Sequence, residues 1–465
     1  MSVPSTRSWS PEGATHEFAT FVSSTRYEDL PHEVVSGVKH AILDTVAVTV
    51  AGAPEPASQT LASLMATYGG APIATVVGLP MRTDPATAAL LNGTSGHALD
   101  YDDYCFGMSG HPSVTILPGL LALAERHGLS GRDVIRAYAV GFEAAIMVSH
   151  VVNPAQYNHG WHGTGTVGAI GASSAAANLL GLDLEQTMDA ISFGVSAAAG
   201  NRQNFGTDIK PYHAGNAARA GVLAAELAQA GFGGNHQILE GRYGFFHLFT
   251  PGSDGEHPKP DRGFGDPWSV LSPGITTKVF PSCGSTHSGI GGILELRAEG
   301  LQADDIAHIE VALTDVAAGN CQYPRPRTGL EAKFSLQYCL ARALTAGWVG
   351  MDDFTDEAVR DNSLEDLMGR IDFHHDPALS EAYVWGDPRP SVMTIDLRSG
   401  EQMTHRAATP PGSPGNLTRD MLLEKYRDCM ARGAIVGDVE QIARDLERLE
   451  EIDDVGALLS GLAGR

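Results

Sequence analysis

Long runs of small residues at helical spacing constrain the fold of this chain most strongly. Residues 168–181 read GAIGASSAAANLLG, and residues 215–231 read GNAARAGVLAAELAQAG. Glycine and alanine add little volume to a helix surface, so neighbouring helix axes can approach closely. Both runs therefore predict central, buried helices of a helical bundle.

Further helical patterns surround these two runs. Residues 32–52, HEVVSGVKHAILDTVAVTVAG, place apolar side chains at helical spacing and end at a glycine. The segment 251–268 is rich in proline, glycine and charge, which indicates a loop or a domain boundary. Residues 15–250 are therefore expected to be mostly helical. The other helices predicted there cover 115–127, 131–150, 166–180, 185–198 and 214–231.

The region after this boundary has a different pattern. Residues 308–315 alternate polar and apolar side chains, and residues 391–407 read as a hairpin that turns at Ser399 and Gly400. Two helices, 287–299 and 331–346, accompany these strands, and the last sixty residues are helical again. The predicted fold is mainly α, with a large all-helical domain and a smaller α+β lid domain. The expected boundaries are 1–268 completed by 406–465 for the first domain, and 269–405 for the second.

The net charge limits the partners of the chain. A formal charge of −24 repels nucleic acid and anionic membrane surfaces. Five cysteines without a CxxC motif argue against a disulfide scaffold and a zinc ribbon. The N-terminus lacks a signal-peptide pattern, and no uninterrupted apolar run reaches the ~18 residues that a membrane span needs. A cytoplasmic protein is expected.

Two motifs suggest cofactors but lack the necessary context. Residues 163–168, GTGTVG, match the dinucleotide pattern G-x-G-x-x-G, yet NPAQYNHGWH precedes them instead of a strand. The aspartates of GHALDYDDYCFGMSGHPSV, residues 96–114, do not alternate as the ligands of a calcium loop do. We therefore expect neither a metal nor a nucleotide cofactor.

Acid–base side chains recur in loops that lie beside predicted helix starts. Only six lysines occur in the chain, so lysines inside these loops are informative. Histidine can take or give a proton near neutral pH, and lysine can bind carboxylates and stabilise an enediolate. The loops predict proton-transfer chemistry on an anionic substrate. Their candidate residues are Asp100 and His111 in 96–114, His159 and His162, Lys210 and His213, Lys278 with Cys283 and His287, and Tyr338.

Four of these segments resemble the MmgE/PrpD family. They are GHALDYDD with GHPS, GWHGTGTVGAIGAS, KPYHAGNAARAG and FPSCGSTH, and their order and spacing match over nearly the whole chain. The family includes 2-methylcitrate dehydratase, cis-aconitate decarboxylase and iminodisuccinate epimerase. The resemblance implies a helical domain built from both chain ends, an α+β lid, a cofactor-free site in the cleft, a small polycarboxylate substrate and a homodimer. By position it implies a site of Asp100, His111, His162, Lys210 and Lys278, with Tyr338 nearby.

Two positions depart from the decarboxylase branch of the family. Tyr104 stands where that branch has threonine, and Cys283 stands where it has histidine. The chain looks most similar to the iminodisuccinate epimerase branch. The expected reaction is therefore epimerisation by proton transfer alpha to a carboxylate of a dicarboxylate amine. Dehydration of a 2-methylcitrate-like hydroxy acid is the alternative, and decarboxylation of cis-aconitate comes third.

The roles of individual side chains follow from this expectation. His162 is expected to act as the base on one face of the substrate, with Tyr338 or His287 on the other. His111, Asp100 and Cys283 are further catalytic candidates. Substrate binding is expected from Lys210, Lys278, Tyr104 and His213.

Overall fold

The structure, a computed structural model, describes residues 8–253, 257–384, 386–407 and 409–465. Helices dominate it, and strands form two small sheets, which confirms the predicted mainly α fold with a smaller α+β part. The longer helices are Ala14–Ser24, His32–Gly52, Pro56–Tyr68, Pro85–Ala98, Ser113–His127, Gly131–Val152, Gly163–Leu179, Leu184–Ala197, Ile209–Gln229, Gly284–Ala298, Leu336–Ala346, Arg419–Met430 and Val439–Glu447. The shorter helical segments are Tyr27–Asp29, Ala155–Asn158, Arg202–Asn204, Phe245–Phe249, Val270–Gly274, Ala303–Asp305, Asp315–Asn320, Gly329–Ala332, Met351–Phe354, Asp356–Arg360, Asn362–Leu364, Glu365–Met368, Pro377–Ala382, Leu449–Glu451 and Gly456–Gly461.

The small-residue helices lie at the centre of the helical part, as predicted. Every residue of Gly163–Leu179 is buried. A Cβ atom at Gly171 would lie 3.0 Å from the carbonyl oxygen of Gly141, and one at Gly141 would lie 2.6 Å from the carbonyl oxygen of Gly171. Helix Gly163–Leu179 and helix Gly131–Val152 therefore approach each other at a distance that only glycine at these two positions permits.

The α+β part contains one four-stranded sheet. Its strands are β3 Ile306–Leu313, β4 Ile371–His375, β5 Ser391–Leu397 and β6 Gln402–Ala407, in the order β4-β3-β5-β6. β3 and β4 are parallel, and the other neighbours are antiparallel. The hairpin between β5 and β6 is the predicted one. A further hairpin of β1 Ala74–Val76 and β2 Met81–Thr83 lies in the helical part, where no strand was expected.

One predicted helix is interrupted. In place of a continuous helix over 331–346, the chain forms Gly329–Ala332 and Leu336–Ala346 with a break between them. At the break, the backbone N–H of Cys283 donates to the carbonyl of Lys333 at 2.9 Å, and the Lys333 ammonium donates to the carbonyl of Leu99 at 2.6 Å. The break therefore ties this segment to the loops that carry the candidate site residues.

The described residues form two principal apolar cores. Apart from Met351, the larger one takes its residues from 14–270 and again from 422–462, so the C-terminal helices pack with the N-terminal ones. The second takes its residues from 279–395. The expected loop at 251–268 contains no long helix or strand in its described residues, and residues 254–256 lie outside them. We propose, on these two cores, the division into a helical domain, 1–268 with 406–465, and a lid, 269–405.

Two helices, His32–Gly52 and Gly131–Val152, have the length and hydropathy of a membrane span, although polar residues interrupt the apolar sequence of both. Most of their residues are buried among other helices of the larger core. Their apolar character is therefore accounted for by packing inside the helical part.

A buried ion pair joins the C-terminal helices to the N-terminal part. The Lys425 ammonium lies 2.6 Å from Oδ1 of Asp44 on helix His32–Gly52 and donates to the Tyr101 carbonyl at 2.7 Å. Burial raises the pKa of the Asp44 carboxyl, and the nearby Lys425 ammonium opposes that shift.

Asp44→Asn is expected to destabilise the fold, because it leaves the Lys425 ammonium buried without its counter-charge. The expected loss is about 3–5 kcal/mol of unfolding free energy. Urea unfolding at pH 8, where Asp44 is ionised, measures it. Arg427→Gln is the matched control, since Arg427 lies on the same helix as Lys425 and pairs with Glu440 at an exposed position. Equal unfolding midpoints for Asp44→Asn and wild type would contradict the assignment.

Candidate active site

A partly open cavity lies where residues of the two cores meet. It has about 40 Å³ of free volume, which is room for about three water molecules. The helical part contributes Asp100, Tyr104, Ser109, His111, His162 and Lys210 to the lining, and the α+β part contributes Cys283, Asn320, Phe334 and Arg389.

The loop after helix Pro85–Ala98 forms one wall of this cavity. Asp100 and Ser109 both have positive backbone φ angles, 51° and 47°. Non-glycine residues adopt this region at an energetic cost, and such residues concentrate at functional sites. Both side chains line the cavity. The strained backbone therefore serves to place them there.

Asp100 is held between two lysines. Its Oδ1 lies 2.5 Å from the Lys278 ammonium and 3.0 Å from the Lys210 ammonium. Burial alone would raise the pKa of Asp100, but the two ammonium groups outweigh it and hold the pKa well below its usual range. Lys210 lines the cavity, whereas Lys278 is fully buried behind Asp100. The structure thus brings these three predicted residues together and leaves Lys210 as the lysine that faces a ligand.

A chain of hydrogen bonds links Lys210 to His111. The Lys210 ammonium lies 3.0 Å from Nε2 of His97, whose Nδ1 lies 2.9 Å from the Asp102 carboxylate. The same carboxylate lies 3.0 Å from Nδ1 of His111. Burial would raise the pKa of Asp102, but the two imidazoles hold it well below its usual range. An ionised Asp102 therefore accepts Nδ1–H from His97, and its charge lies beside Nδ1 of His111, whose N–H donates to the carbonyl of Asp103 at 3.0 Å.

His111 is consequently oriented as a base. Because its Nδ1 faces Asp102 and the carbonyl of Asp103, its Nε2 carries the lone pair and lies on the side of Asp100, 3.8 Å from Oδ1. Burial lowers the pKa of His111, with Asp102 opposing and the two lysines assisting. A neutral imidazole held by a carboxylate is the arrangement that enzymes use for proton abstraction.

His162 places a second imidazole in the wall of the cavity. Its Nδ1 lies 3.1 Å from Nδ1 of His213, which is thereby placed behind it and outside the cavity lining. Burial and the Lys210 ammonium hold the pKa of His162 well below its usual range, and burial lowers that of His213 to about 4. Both rings are therefore neutral at neutral pH.

Tyr104, Cys283 and His287 lie on the side nearest the α+β part. Tyr104 and Cys283 line the cavity. The Tyr104 hydroxyl is buried and has no hydrogen-bond partner in the part of the chain that the structure describes. Burial raises its pKa, so it stays protonated and can donate to a ligand. His287 is completely buried, does not line the cavity, and directs Nε2 to the carbonyl of Ser282 at 3.2 Å. The expected role of His287 as a proton donor does not fit this position.

Tyr338 requires a correction. It lies in the second core, where its hydroxyl donates to the carbonyl of Asp353 and its ring packs against Phe354. It does not line the cavity. The family resemblance placed it near the site, but on helix Leu336–Ala346 its side chain packs into the second core. The expected opposing proton donor is therefore not Tyr338. His159, beside His162, does not line the cavity either.

Sequence reasoning missed three residues of the site. His97 and Asp102 lie in the 96–114 segment, from which only Asp100 and His111 were predicted as site residues. The neighbouring Asp103 has a structural role, because it accepts hydrogen bonds from Ser113 at the start of helix Ser113–His127. Arg389 lies far away in sequence, in the segment before β5. The one sequence signal for His97 and Asp102 was that residues 96–114 contain two histidines and three aspartates.

The imidazole and carboxylate groups around Lys210 lie close enough together to ligate a metal ion, but the charge around them disfavours a cation. The Lys210 ammonium lies 3.0 Å from both His97 and Asp100, so a divalent cation here would be placed beside a fixed positive charge. The expectation of a metal-independent site stays a prediction, which dialysis against EDTA followed by an activity assay checks. The two groups with ligand atoms within 4.8 Å of one another are His97, His111 and His162, and His97, Asp100, Asp102 and His111.

The lowered histidine pKa values give a pH-dependence prediction. A histidine base works only when unprotonated, and an ordinary one titrates near pH ~6.5. Because the pKa values of His111 and His162 are lowered, kcat/KM should stay constant as pH falls past that value and should decline only at lower pH. Initial rates between pH 4.5 and 8, corrected for substrate ionisation, measure this. An acid limb centred at or above pH ~6.5 would contradict a buried histidine base.

Comparisons with known proteins identify the family of this chain. The MmgE/PrpD N-terminal domain matches residues 16–257, and the MmgE/PrpD C-terminal domain matches residues 280–450. The chain is 28% identical to cis-aconitate decarboxylase of Mus musculus, over 97% of this chain and 94% of that protein. It is 23% identical to 2-methylcitrate dehydratase of Cupriavidus necator, over 92% of each chain. These relatives do not support the expected resemblance to iminodisuccinate epimerase. The two matched domains together span most of the sequence, and the chain belongs to the MmgE/PrpD family.

Proposed function

We propose that this protein is a lyase that removes water from a hydroxy polycarboxylate after taking a proton from the carbon next to a carboxylate. The observation that carries the proposal is that one cavity holds a neutral imidazole, His111, with its Nδ1 3.0 Å from the Asp102 carboxylate, together with the ammonium of Lys210. The family relatives named dehydratase support the same class of reaction.

The proposed reaction gives each group a role. Nε2 of His111 takes the proton, and the Lys210 ammonium stabilises the negative charge that develops on the adjacent carboxylate. The Tyr104 hydroxyl donates a hydrogen bond to the departing hydroxyl group. A carbon–carbon double bond forms as the carbon–oxygen bond breaks. The hydroxide recovers the proton from His111 and leaves as water, so the products are an unsaturated acid and water.

Decarboxylation of a cis-aconitate-like acid is the second candidate. The relatives with that name match 97% or more of this chain. This reaction ends with protonation of carbon, so it needs a protonated group in the cavity. The lowered pKa values of His111 and His162 disfavour imidazolium in that role, and the ammonium of Lys210 is the remaining charged donor.

Epimerisation would use the same first step as dehydration, but the proton would return to the opposite face. His162 is the side chain that could return the proton to that face, since it lines the cavity with His111. The relatives give epimerisation no support, and dehydration therefore takes its place as the leading proposal.

A panel of acids distinguishes the three reactions. 2-Methylcitrate, citrate, cis-aconitate and iminodisuccinate are each incubated with the protein, and products are followed by proton NMR and by release of carbon dioxide. The proposal predicts a new vinylic signal from a hydroxy acid without carbon dioxide. Carbon dioxide from cis-aconitate would establish decarboxylation instead. Inversion of iminodisuccinate without loss of water would establish epimerisation.

A further inference from the structure

A single arginine reaches the cavity from the α+β part. Arg389 precedes strand β5 and lines the cavity together with residues of the helical part. Its backbone is fixed, because the Ser288 hydroxyl donates to its carbonyl at 2.6 Å. Its side chain is only 7% exposed. The α+β part therefore holds a buried cation at a fixed point of the cavity wall.

The guanidinium of Arg389 is incompletely satisfied. Nη2 donates to the Ser109 hydroxyl at 3.1 Å, and Cζ lies 5.3 Å from the ring centroid of Phe106. Nε is buried and has no hydrogen-bond partner among the residues that the structure describes. No aspartate or glutamate among them forms an ion pair with this side chain. The Ser109 hydroxyl and the rings of Phe106 and Tyr383, the latter centred 6.0 Å from Cζ, replace only part of the hydration that the cation has lost.

Such an arrangement is costly in an empty site. A buried charge without a counter-charge carries a desolvation penalty of several kcal/mol, and an arginine fork fits a carboxylate with two parallel hydrogen bonds. Lys210 differs in this respect, because Asp100 already neutralises it in part. An anion would satisfy the unpaired charge and the free N–H of Arg389, and this anion would lie in the cavity.

We infer that Arg389 binds a second carboxylate of the substrate, remote from the one that lies against Lys210. The site would then require a substrate with at least two carboxylates. One is held by the helical part and the other by the α+β part, so the bound acid spans both. This inference deepens the proposed function and rests on it only for the identity of the cavity as the substrate site.

Glutarate and glutaramate test this assignment by isothermal titration calorimetry. The two ligands have the same shape, but glutaramate replaces one carboxylate by a neutral amide. Arg389→Gln should weaken glutarate binding about 10- to 100-fold. Glutaramate, whose single carboxylate can lie against Lys210, should lose less than about threefold. Arg389→Lys keeps the charge without the fork and should fall between wild type and Arg389→Gln for glutarate.

Arg360→Gln is the matched control, because Arg360 belongs to the same part and pairs with Asp356 at an exposed position. It should leave both affinities unchanged. Equal losses for glutarate and glutaramate in Arg389→Gln would mean that the arginine only maintains the shape of the cavity. Unchanged glutarate affinity would mean that it does not meet the ligand. Either result overturns the inference. Neither ligand has to react, so a failure of the proposed elimination is detected separately, in the product assay.

Discussion

Replacing Lys210 by methionine is expected to lower kcat/KM by about 30- to 1000-fold. The ammonium is the charge that faces the cavity beside Asp100, and it stabilises the negative charge that develops on the substrate carboxylate. Loss of a charge-assisted contact in a water-poor site costs about 2–4 kcal/mol, which corresponds to this range. Steady-state rates with the acid that is turned over in the panel measure the effect.

The fold should tolerate this change. Lys278 still neutralises Asp100 in Lys210→Met, at 2.5 Å from Oδ1. Lys39→Met is the control, because Lys39 pairs with Glu450 away from the cavity and should keep its wild-type kcat/KM. An unchanged kcat/KM in Lys210→Met, with both variants folded, would place the anion site elsewhere.

His111→Gln is expected to lower kcat by about 100- to 10,000-fold, the range that a general base contributes. Glutamine fills the space and can still hydrogen-bond to Asp102, but it cannot take a proton. Substrate binding should change little, because Lys210 remains in place. Single-turnover rates and a separate binding titration distinguish the two effects.

Comparison with His162→Gln tests the choice between the two imidazoles. Nδ1 of His111 lies 3.0 Å from the Asp102 carboxylate, which stabilises a protonated ring, whereas Nδ1 of His162 lies 3.1 Å from the neutral ring of His213. The loss in His162→Gln should therefore be smaller than that in His111→Gln. His127→Gln, at an exposed helix end, is the control and should behave as wild type. A larger loss in His162→Gln would restore His162 as the base expected from the sequence.

The helical architecture could be predicted because its signals are local. The apolar periodicity of residues 32–52 and the small-residue runs reproduce the observed helices closely. Helix Pro85–Ala98 was not predicted, since almost every position in it is buried and no polar face marks its period. Strand β4 was not predicted either, because this edge strand buries only Ile371 and so shows little alternation.

The site could be predicted only in part. The clustering of histidines, aspartates and lysines in loops located Asp100, His111, His162 and Lys210, and each of these lines the cavity. Which side chain faces the ligand depends on tertiary packing. On helix Leu336–Ala346 the Tyr338 side chain packs into the second core, and the segment before β5 brings Arg389 to a loop some 280 residues away. Neither consequence is encoded in local spacing.

Transfer of deuterium from solvent tests the central claim most directly, namely that His111 exchanges a proton with the substrate carbon beside a carboxylate. Wild type and His111→Gln are incubated in D2O with the hydroxy acid, and the recovered substrate is examined by proton NMR. Wild type should introduce deuterium at that carbon or release the unsaturated acid. His111→Gln should do both at least about 100-fold more slowly while still binding the acid. Equal rates of exchange and turnover in the two proteins would contradict the account.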